Sequence, residues 1–437
     1  MQKSRQSNQA LGLDFGTTNS AVALAETGRA PRLAQFPTSH GETETFRSIL
    51  FFEAGNLKRQ RAEAAYAGPS AIEHYLESSH RGRFIQSLKA YLGDASFTGT
   101  MVGGRQRTLE ALIGLILQKL LAAATASLGP LPDRVIVGRP VHFTDARSEE
   151  DDSLALARMK TALSLAGIND PQFEFEPVAA AYAYQQSIQT PETVLIADFG
   201  GGTSDFSLLS LAPGDSTQPG PIEILGNDGV AFAGDVFDRA IVRHAVAPRL
   251  GQGSQYVSGP DKVLPMPDWV YAKLERWHYL SFLKSPATIE MIERVQSTSN
   301  APREIAALLN LIDSDLGYEL HAHVNRTKIQ LSSKLDSTFH FDLYPIAIDW
   351  QATRAEFEGW IQPQLDSISN TVDELLATTG VEPTAIDRVF LTGGSSFVPA
   401  VRDIFAKRFG SSKLAGGHEL TSVATGLALR GLVPAGS

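Results

Sequence analysis

Two distant stretches of this chain repeat one local design: an apolar strand ends in an aspartate and runs into a turn of glycine and threonine. Leu11-Gly12-Leu13-Asp14-Phe15-Gly16-Thr17-Thr18-Asn19-Ser20 is the first copy. Leu195-Ile196-Ala197-Asp198-Phe199-Gly200-Gly201-Gly202-Thr203-Ser204-Asp205 is the second. A second pair of segments echoes in the same way, Asp133 to Pro140 and Asp387 to Gly394, each an apolar strand closed by a turn. A repeat of this length predicts a duplicated α/β lobe, because solenoid periods are far shorter. One such turn holds an anion from one side, and two close on it from both.

The intervening patterns are helical. Leu109 to Leu128 and Ser148 to Ala166 carry apolar residues at spacings that suit one face of a helix, with Gly167 placed to end the second. Val178 to Gln186 follows Pro177, a common first helical residue. Phe237 to His244 and Phe357 to Thr378 also read as helices, with Pro363 marking an early turn or a kink. Strands alternating with helices predict largely parallel central sheets, and the two aspartate turns are tight enough to start antiparallel hairpins on them. Loops are expected over Ala212 to Pro221 and Leu250 to Asp261. The segment from Leu250 to about Ala301, which holds Trp269 and Trp277, has no counterpart in the first half and reads as part of a lid.

Composition narrows the function. The 437 residues exceed one ordinary domain. The formal net charge of −10 argues against nucleic acid or an anionic membrane as the main partner. With no cysteine in the chain, disulfides, thiolate metal sites and cysteine nucleophiles are excluded, and a reducing cytoplasm suits it. Met1 to Gln9 is polar and lacks an apolar signal core. Leu109 to Leu128 is interrupted by Gln118 and Lys119 and reads as a buried helix rather than a membrane span.

The chemistry of the turns suits a metal-bound triphosphate. Glycine lets backbone N–H groups approach phosphate oxygens, and consecutive N–H groups form a concave nest for an anion. Thr17, Thr18 and Thr203 add hydroxyl donors. Asp14, Asp198 and Asp205 oppose a polyanion: two unit charges about 5 Å apart repel by roughly 3 kcal/mol at an effective dielectric of about 20. A divalent ion between them reverses the sign. Magnesium keeps several waters, so carboxylates suit it through water. The pattern therefore predicts Mg-ATP rather than bare ATP. No Gly-x-x-x-x-Gly-Lys-[Ser/Thr] motif occurs, which rules out a P-loop, and Gly229 to Gly234 carries no dinucleotide fingerprint.

At these residues the chain resembles the actin-like ATPase superfamily, and most closely the ATPase domain of the seventy-kilodalton heat-shock chaperones (DnaK-like), in particular the short YegD-like branch. The resemblance runs from about Leu11 to Leu432. It is dense at Leu11 to Ser20, Leu195 to Phe206, Val135 to Arg147 with Phe175 to Tyr184, Asn325 to Ser333, and Val389 to Pro399. It implies a two-lobed fold of duplicated ribonuclease H-like lobes with a nucleotide cleft between them. Lobe I spans 1–192 with an inserted subdomain at 37–128. Lobe II spans 193–409 with a lid subdomain at 231–340, and 410–437 returns to lobe I.

The resemblance also implies roles. Asp14 and Asp198 would hold the water shell of magnesium. Gly16, Thr17, Thr18, Asn19, Gly200, Gly201, Gly202, Thr203 and Gly234 would surround the phosphates. Lys89 would bridge the γ-phosphate and the attacking water. Glu176 would sense magnesium and help orient that water, and Asp198 or Asp205 would assist its deprotonation. Asn325, Lys328, Ser332, Gly393, Gly394, Ser395 and Phe397 match the adenosine pocket, and Pro140 with Arg147 would report nucleotide state.

Other readings of the same residues stand beside these. Lys89 in Ser87-Leu88-Lys89-Ala90 reads locally as a solvated helix charge. Glu176 before Pro177 is equally a helix-start acid, and Pro140 a strand terminator. His321 and His323 would face the same way on a strand, as packed or solvent-exposed histidines rather than metal ligands.

The departures from the family pattern carry information too. Asn325 stands where a glutamate reaches the ribose, and Phe397 where an arginine stacks on the purine. ATP binding with altered affinity or base preference is therefore expected. Gln172 and Phe175 replace an arginine and an asparagine, which weakens the case for stimulation by J-domain proteins. After Leu432 no linker, peptide-binding domain or helical lid follows, so client-peptide binding by that route is not expected. The expected protein is a monomeric, slow, Mg-dependent ATP hydrolase that signals to a protein partner. Its rivals are a nucleotide sensor that has lost hydrolysis and a sugar-type kinase of the same superfamily, for which Asp205 is the one obvious catalytic aspartate.

Overall fold

The computed structural model describes residues 8–39, 41–53, 64–77, 82–144, 146, 148–214, 219–276, 283–314, 316–416 and 421–433. Arg147 and Trp277 lie outside them. The chain separates into two compact units, one formed by 1–234, 367–396 and 401–437, the other by 235–366 and 397–400.

The first unit holds two central sheets. The first is built from β1 (Gln9–Phe15), β2 (Asn19–Glu26), β3 (Arg32–Leu33), β4 (Val135–Arg139) and β5 (Gln172–Phe175). Its order is β5-β4-β1-β2-β3, with Phe46–Arg47 also paired to β2. The second contains β6 (Glu192–Phe199), β7 (Ser204–Leu211), β8 (Ile222–Val230), β9 (Arg388–Thr392) and β10 (Leu414–Gly416), in the order β10-β9-β6-β7-β8. Each sheet has the same directions. A three-strand antiparallel meander starts at the aspartate strand, and two parallel strands lie on its other side. The duplicated lobe read from the sequence is thus a duplicated sheet topology, the mixed α/β actin-like ATPase fold. Both aspartate turns are antiparallel hairpins, β1–β2 and β6–β7.

The main helices are α1 (Leu109–Leu128), α2 (Glu149–Leu165), α3 (Glu176–Gln185), α4 (Gly317–Ser333), α5 (Arg354–Trp360), α6 (Gln362–Thr379) and α7 (Ser422–Arg430). By length and composition α1 could cross a membrane. Here its Leu112, Ile113, Ile116, Leu117 and Leu120 are buried, and it packs on α2 as a core helix. Thr108 caps it, its hydroxyl accepting from Ala111 N–H at 3.2 Å. Ser148 caps α2 in the same way, followed by four acids in the first turn that favour the positive end of the helix dipole. Gly167, at φ 94°, stands just beyond its end.

Helix α3 is apolar all round because it is buried all round. With α7 it forms one core that includes Ala21, Ala23 and Ile136 of the first sheet and Val194, Ile196 and Leu209 of the second. The two helices cross so closely that a Cβ on Gly426 would lie 1.6 Å from the carbonyl oxygen of Ala179. Glycine is obligatory there on steric grounds alone.

In the second unit, α4 carries both His321 and His323, so the strand expected around them is a helix. His321 is buried, with Nε2 3.3 Å from the carbonyl oxygen of Leu274, and burial lowers its pKa to about 3. It is a packed neutral histidine. The stretch read as one helix from Phe357 is two: Ile361 separates α5 from α6, and Pro363 falls in the first turn of the latter. The loop expected to begin at Leu250 contains a strand, Gln255–Gly259, paired with Lys262–Pro265. A hairpin of Asp336–Leu343 and Ile346–Thr353 precedes α5, where Trp350 stacks on Trp360 and Trp360 on His244.

Candidate functional site

The first turn is built on β1 and β2. Asp14 is the penultimate residue of β1, Gly16, Thr17 and Thr18 make the turn, and Asn19 opens β2. A residue that sequence reading passed over supports it. The Ser48 hydroxyl lies 2.7 Å from the carbonyl oxygen of Gly16 and 2.9 Å from the Ser20 hydroxyl, while Ser48 N–H donates to the Thr18 carbonyl at 3.0 Å. Arg47 donates to Asn19 Oδ1 at 3.2 Å. The second turn, Gly200-Gly201-Gly202, links β6 to β7, with Asp198 and Asp205 directly opposite in register. Its Gly200 accepts from Gly234 N–H at 3.3 Å, so Gly234 adjoins this turn.

Between the turns lies a cluster of ionisable groups from five elements. Lys89 sits on a short 3₁₀ helix, Leu88–Tyr91, with only 6% of its surface exposed. Its Nζ donates to Glu176 Oε1, at the start of α3, over 2.7 Å. The locally plausible solvated lysine is therefore a buried ion-pair partner. Burial opposes its charge, yet Glu176, Asp14 and Asp205 more than offset that and raise its pKa.

The carboxylates feel the opposite stress. Asp14 is pushed up to about 7, first by burial and then by Glu176, with Lys89 opposing. Asp205 is 1% exposed and is also raised to about 7, by burial and by Glu176. The Thr203 hydroxyl and Val141 N–H hold it back, the latter donating to Asp205 Oδ1 at 2.6 Å. Asp198 is raised well above its ordinary range by burial, Glu176, Asp205 and Asp14. Fully ionised, this cluster sets four negative charges against one positive. Such an excess, in a medium that screens poorly, calls for a cation, and an all-oxygen donor set suits magnesium. Among the described residues no three acidic or histidine side chains converge to hold a metal directly.

Pro140 follows β4 immediately, next to the Val141 amide that Asp205 holds. Arg139 lies over the Phe175 ring at 4.9 Å and the Phe143 ring at 5.8 Å, bracing the stretch after β4 against the end of β5. Gln172 is exposed on β5.

The residues matched to adenosine divide between the units. Gly393, Gly394 and Ser395 form the turn after β9, where the Ser396 hydroxyl donates to the Gly393 carbonyl at 2.7 Å. Asn325, Lys328 and Ser332 lie on α4 of the second unit. There Lys328 Nζ donates to Asp238 at 2.9 Å, Asn325 also bonds that carboxylate, and the Ser332 hydroxyl donates to the Lys328 carbonyl at 3.0 Å. Phe397 is 49% exposed, so its ring face is open to contact.

Comparison with known proteins points one way. The profile of the Hsp70 protein family matches residues 86–252 and 312–437. Two curated relatives, each described as "Chaperone protein DnaK", come from two strains of Thermus thermophilus. Each is 25% identical over 419 residues, covering 92% of this chain and 57% of the relative. The chain therefore spans somewhat over half the length of the relatives it matches.

Proposed function

This chain belongs to the Hsp70 family, a family of chaperone-type ATPases, and on that premise we propose that it binds Mg-ATP and hydrolyses it slowly. The observation that carries the reading is the buried meeting of Asp14, Lys89, Glu176, Asp198 and Asp205 between two glycine–threonine turns. Magnesium, held through water by Asp14 and Asp198, would neutralise charge on the phosphates and on the cluster.

The chain's own groups supply the rest. The amides of Gly201 and Gly202 and the hydroxyls of Thr17, Thr18 and Thr203 bind phosphate oxygens. Lys89, kept charged by its carboxylate neighbours, stabilises negative charge developing on the γ-phosphate. Glu176 anchors the lysine from α3, so its ion pair fixes where that charge sits. Asp205, raised to about 7, is a competent acceptor for a proton leaving water near neutral pH, and Asp198 is the alternative acceptor. On adenosine, Asn325, Lys328, Ser332, the Gly393-Gly394-Ser395 turn and Phe397 are the proposed contacts, Phe397 stacking on the base without adding charge.

We place the chain nearest the short YegD-like branch, with lobes at 1–192 and 193–409 and the return at 410–437. Its output is signalling to a protein partner through differential affinity for the ATP and ADP states, with Pro140 and Arg147 as the reporting switch. The exposed Gln172 and the Arg139-covered Phe175 give a J-domain protein little to recognise.

Calorimetry with and without magnesium tests binding, and a single-turnover assay with labelled ATP tests chemistry. Lys89→Ala is expected to lower the turnover rate by about two to three orders of magnitude while leaving Mg-ATP binding within about tenfold, because a transition-state contact is lost. Equal rates in wild type, Lys89→Ala and Thr203→Val would reject this assignment of the site, and a wild type with no turnover above background would be a pure nucleotide sensor.

A further inference from the structure

The segment Val141 to Thr144, which follows β4 and Pro140, is pinned from two sides. Val141 N–H donates to Asp205 on β7. From the other side Asp152, in the first turn of α2, accepts Phe143 N–H at 2.8 Å, and its other oxygen lies 2.8 Å from His142 Nδ1. These bonds fix where the last residue of the segment falls.

That residue, Thr144, is 7% exposed, and its hydroxyl makes no hydrogen bond among the described residues. It faces the second phosphate turn. A Cβ built on Gly202 would lie 2.2 Å from Thr144 Oγ1 and 3.1 Å from Thr17 Oγ1. Two hydroxyls, one from the first turn and one from the segment after β4, therefore converge on one glycine of the second turn. Any side chain at Gly202 would fill that point. Two hydroxyl donors converging on one glycine of the turn suit an oxyanion, and the Thr144 hydroxyl, with no hydrogen bond among the described residues, has its proton available to donate to one.

We propose that Thr144 is a phosphate-binding residue whose hydroxyl donates, beside Thr17, to a phosphate oxygen seated at the Gly202 amide. The proposal rests on the reading that the turns hold a polyphosphate, and it extends that site to the segment carrying Pro140. Phosphate contact at Thr144 would then be felt three residues away, at the Val141 amide that Asp205 holds.

Calorimetry with Mg-ATP on wild type, Thr144→Val and Thr144→Ser tests it. Valine keeps the shape packed against Gly202 and removes the donor, whereas serine keeps the donor and removes the methyl group. The expected result is about a tenfold weaker Kd for Thr144→Val, the loss of one charge-assisted hydrogen bond, with Thr144→Ser close to wild type. Melting of the nucleotide-free proteins checks that all three fold. Should the valine variant not fold, Thr144→Ala against Thr144→Ser makes the same comparison. Wild-type affinity in Thr144→Val, or an equal loss in valine and serine, overturns the proposal while leaving the polyphosphate reading intact. If the wild type itself takes up neither Mg-ATP nor Mg-ADP, the reading of the site fails and Thr144 falls with it.

Discussion

Asp205 carries the sharpest tension of any single residue. It is nearly sealed from water and lies opposite Asp198, yet it accepts from the Val141 amide. With its pKa raised from 3.8 to about 7, the folded protein holds its proton more tightly than the unfolded chain does. Its contribution to stability is therefore present at low pH and is lost as pH climbs from about 4 through about 7. Without nucleotide, the wild type should lose melting temperature relative to Asp205→Asn between pH 5.5 and 8. Magnesium nucleotide acts in the opposite sense, since a cation is held by ionised carboxylates, so its stabilisation of the wild type should grow over the same range. Thermal denaturation with and without Mg-ADP at four pH values checks both halves. A ligand effect that stays flat with pH would remove the carboxylate cluster from the binding site.

At the scale of elements, the aspartate hairpins and long helices were legible because local pattern and tertiary demand agree there. The strand β1 is apolar on both faces because both are covered. Helix α2 begins and ends where Ser148 and Gly167 place it. Where only a distant neighbour decides, the local pattern misled. Lys89 owes its burial to Glu176, 87 positions on, and nothing in Ser87-Leu88-Lys89-Ala90 announces that. The alternation of Leu320, His321, Ala322, His323 and Val324 has a strand's period, but Leu320, His321, Val324, Thr327 and Leu331 share the buried side of a helix. Ser48 and Thr144 carry no motif at all, since a hydroxyl acquires meaning from what surrounds it. The α3–α7 crossing is also invisible in sequence, though it welds the two sheets. Gly426→Val should destabilise the protein by at least about 3 kcal/mol, because neither backbone can retreat from the contact with Ala179. Urea denaturation followed by far-UV circular dichroism reads this directly. A midpoint equal to wild type would show that the helices sit farther apart.

The two sheets of the first unit share more than topology. Their hairpin turns lie far apart along the chain, yet both abut one carboxylate cluster, and both sheets rest on the same pair of helices. A ligand held by one turn alone would order that turn and leave the other as it was. A ligand gripped by both must order them together, at one concentration, because each half of the grip needs the other to gain its binding energy. Hydrogen exchange on the full chain should therefore show protection of 14–20 and 198–205 rising in parallel as Mg-ATP is added. In Gly202→Val, whose side chain would fill the point where Thr144 and Thr17 converge, protection should vanish in both stretches, including the first turn, whose sequence is unchanged. Protection that survives in 14–20 while 198–205 remains unprotected would mean that the duplicated turns act singly, and the two-sided grip on a polyphosphate would have to be abandoned.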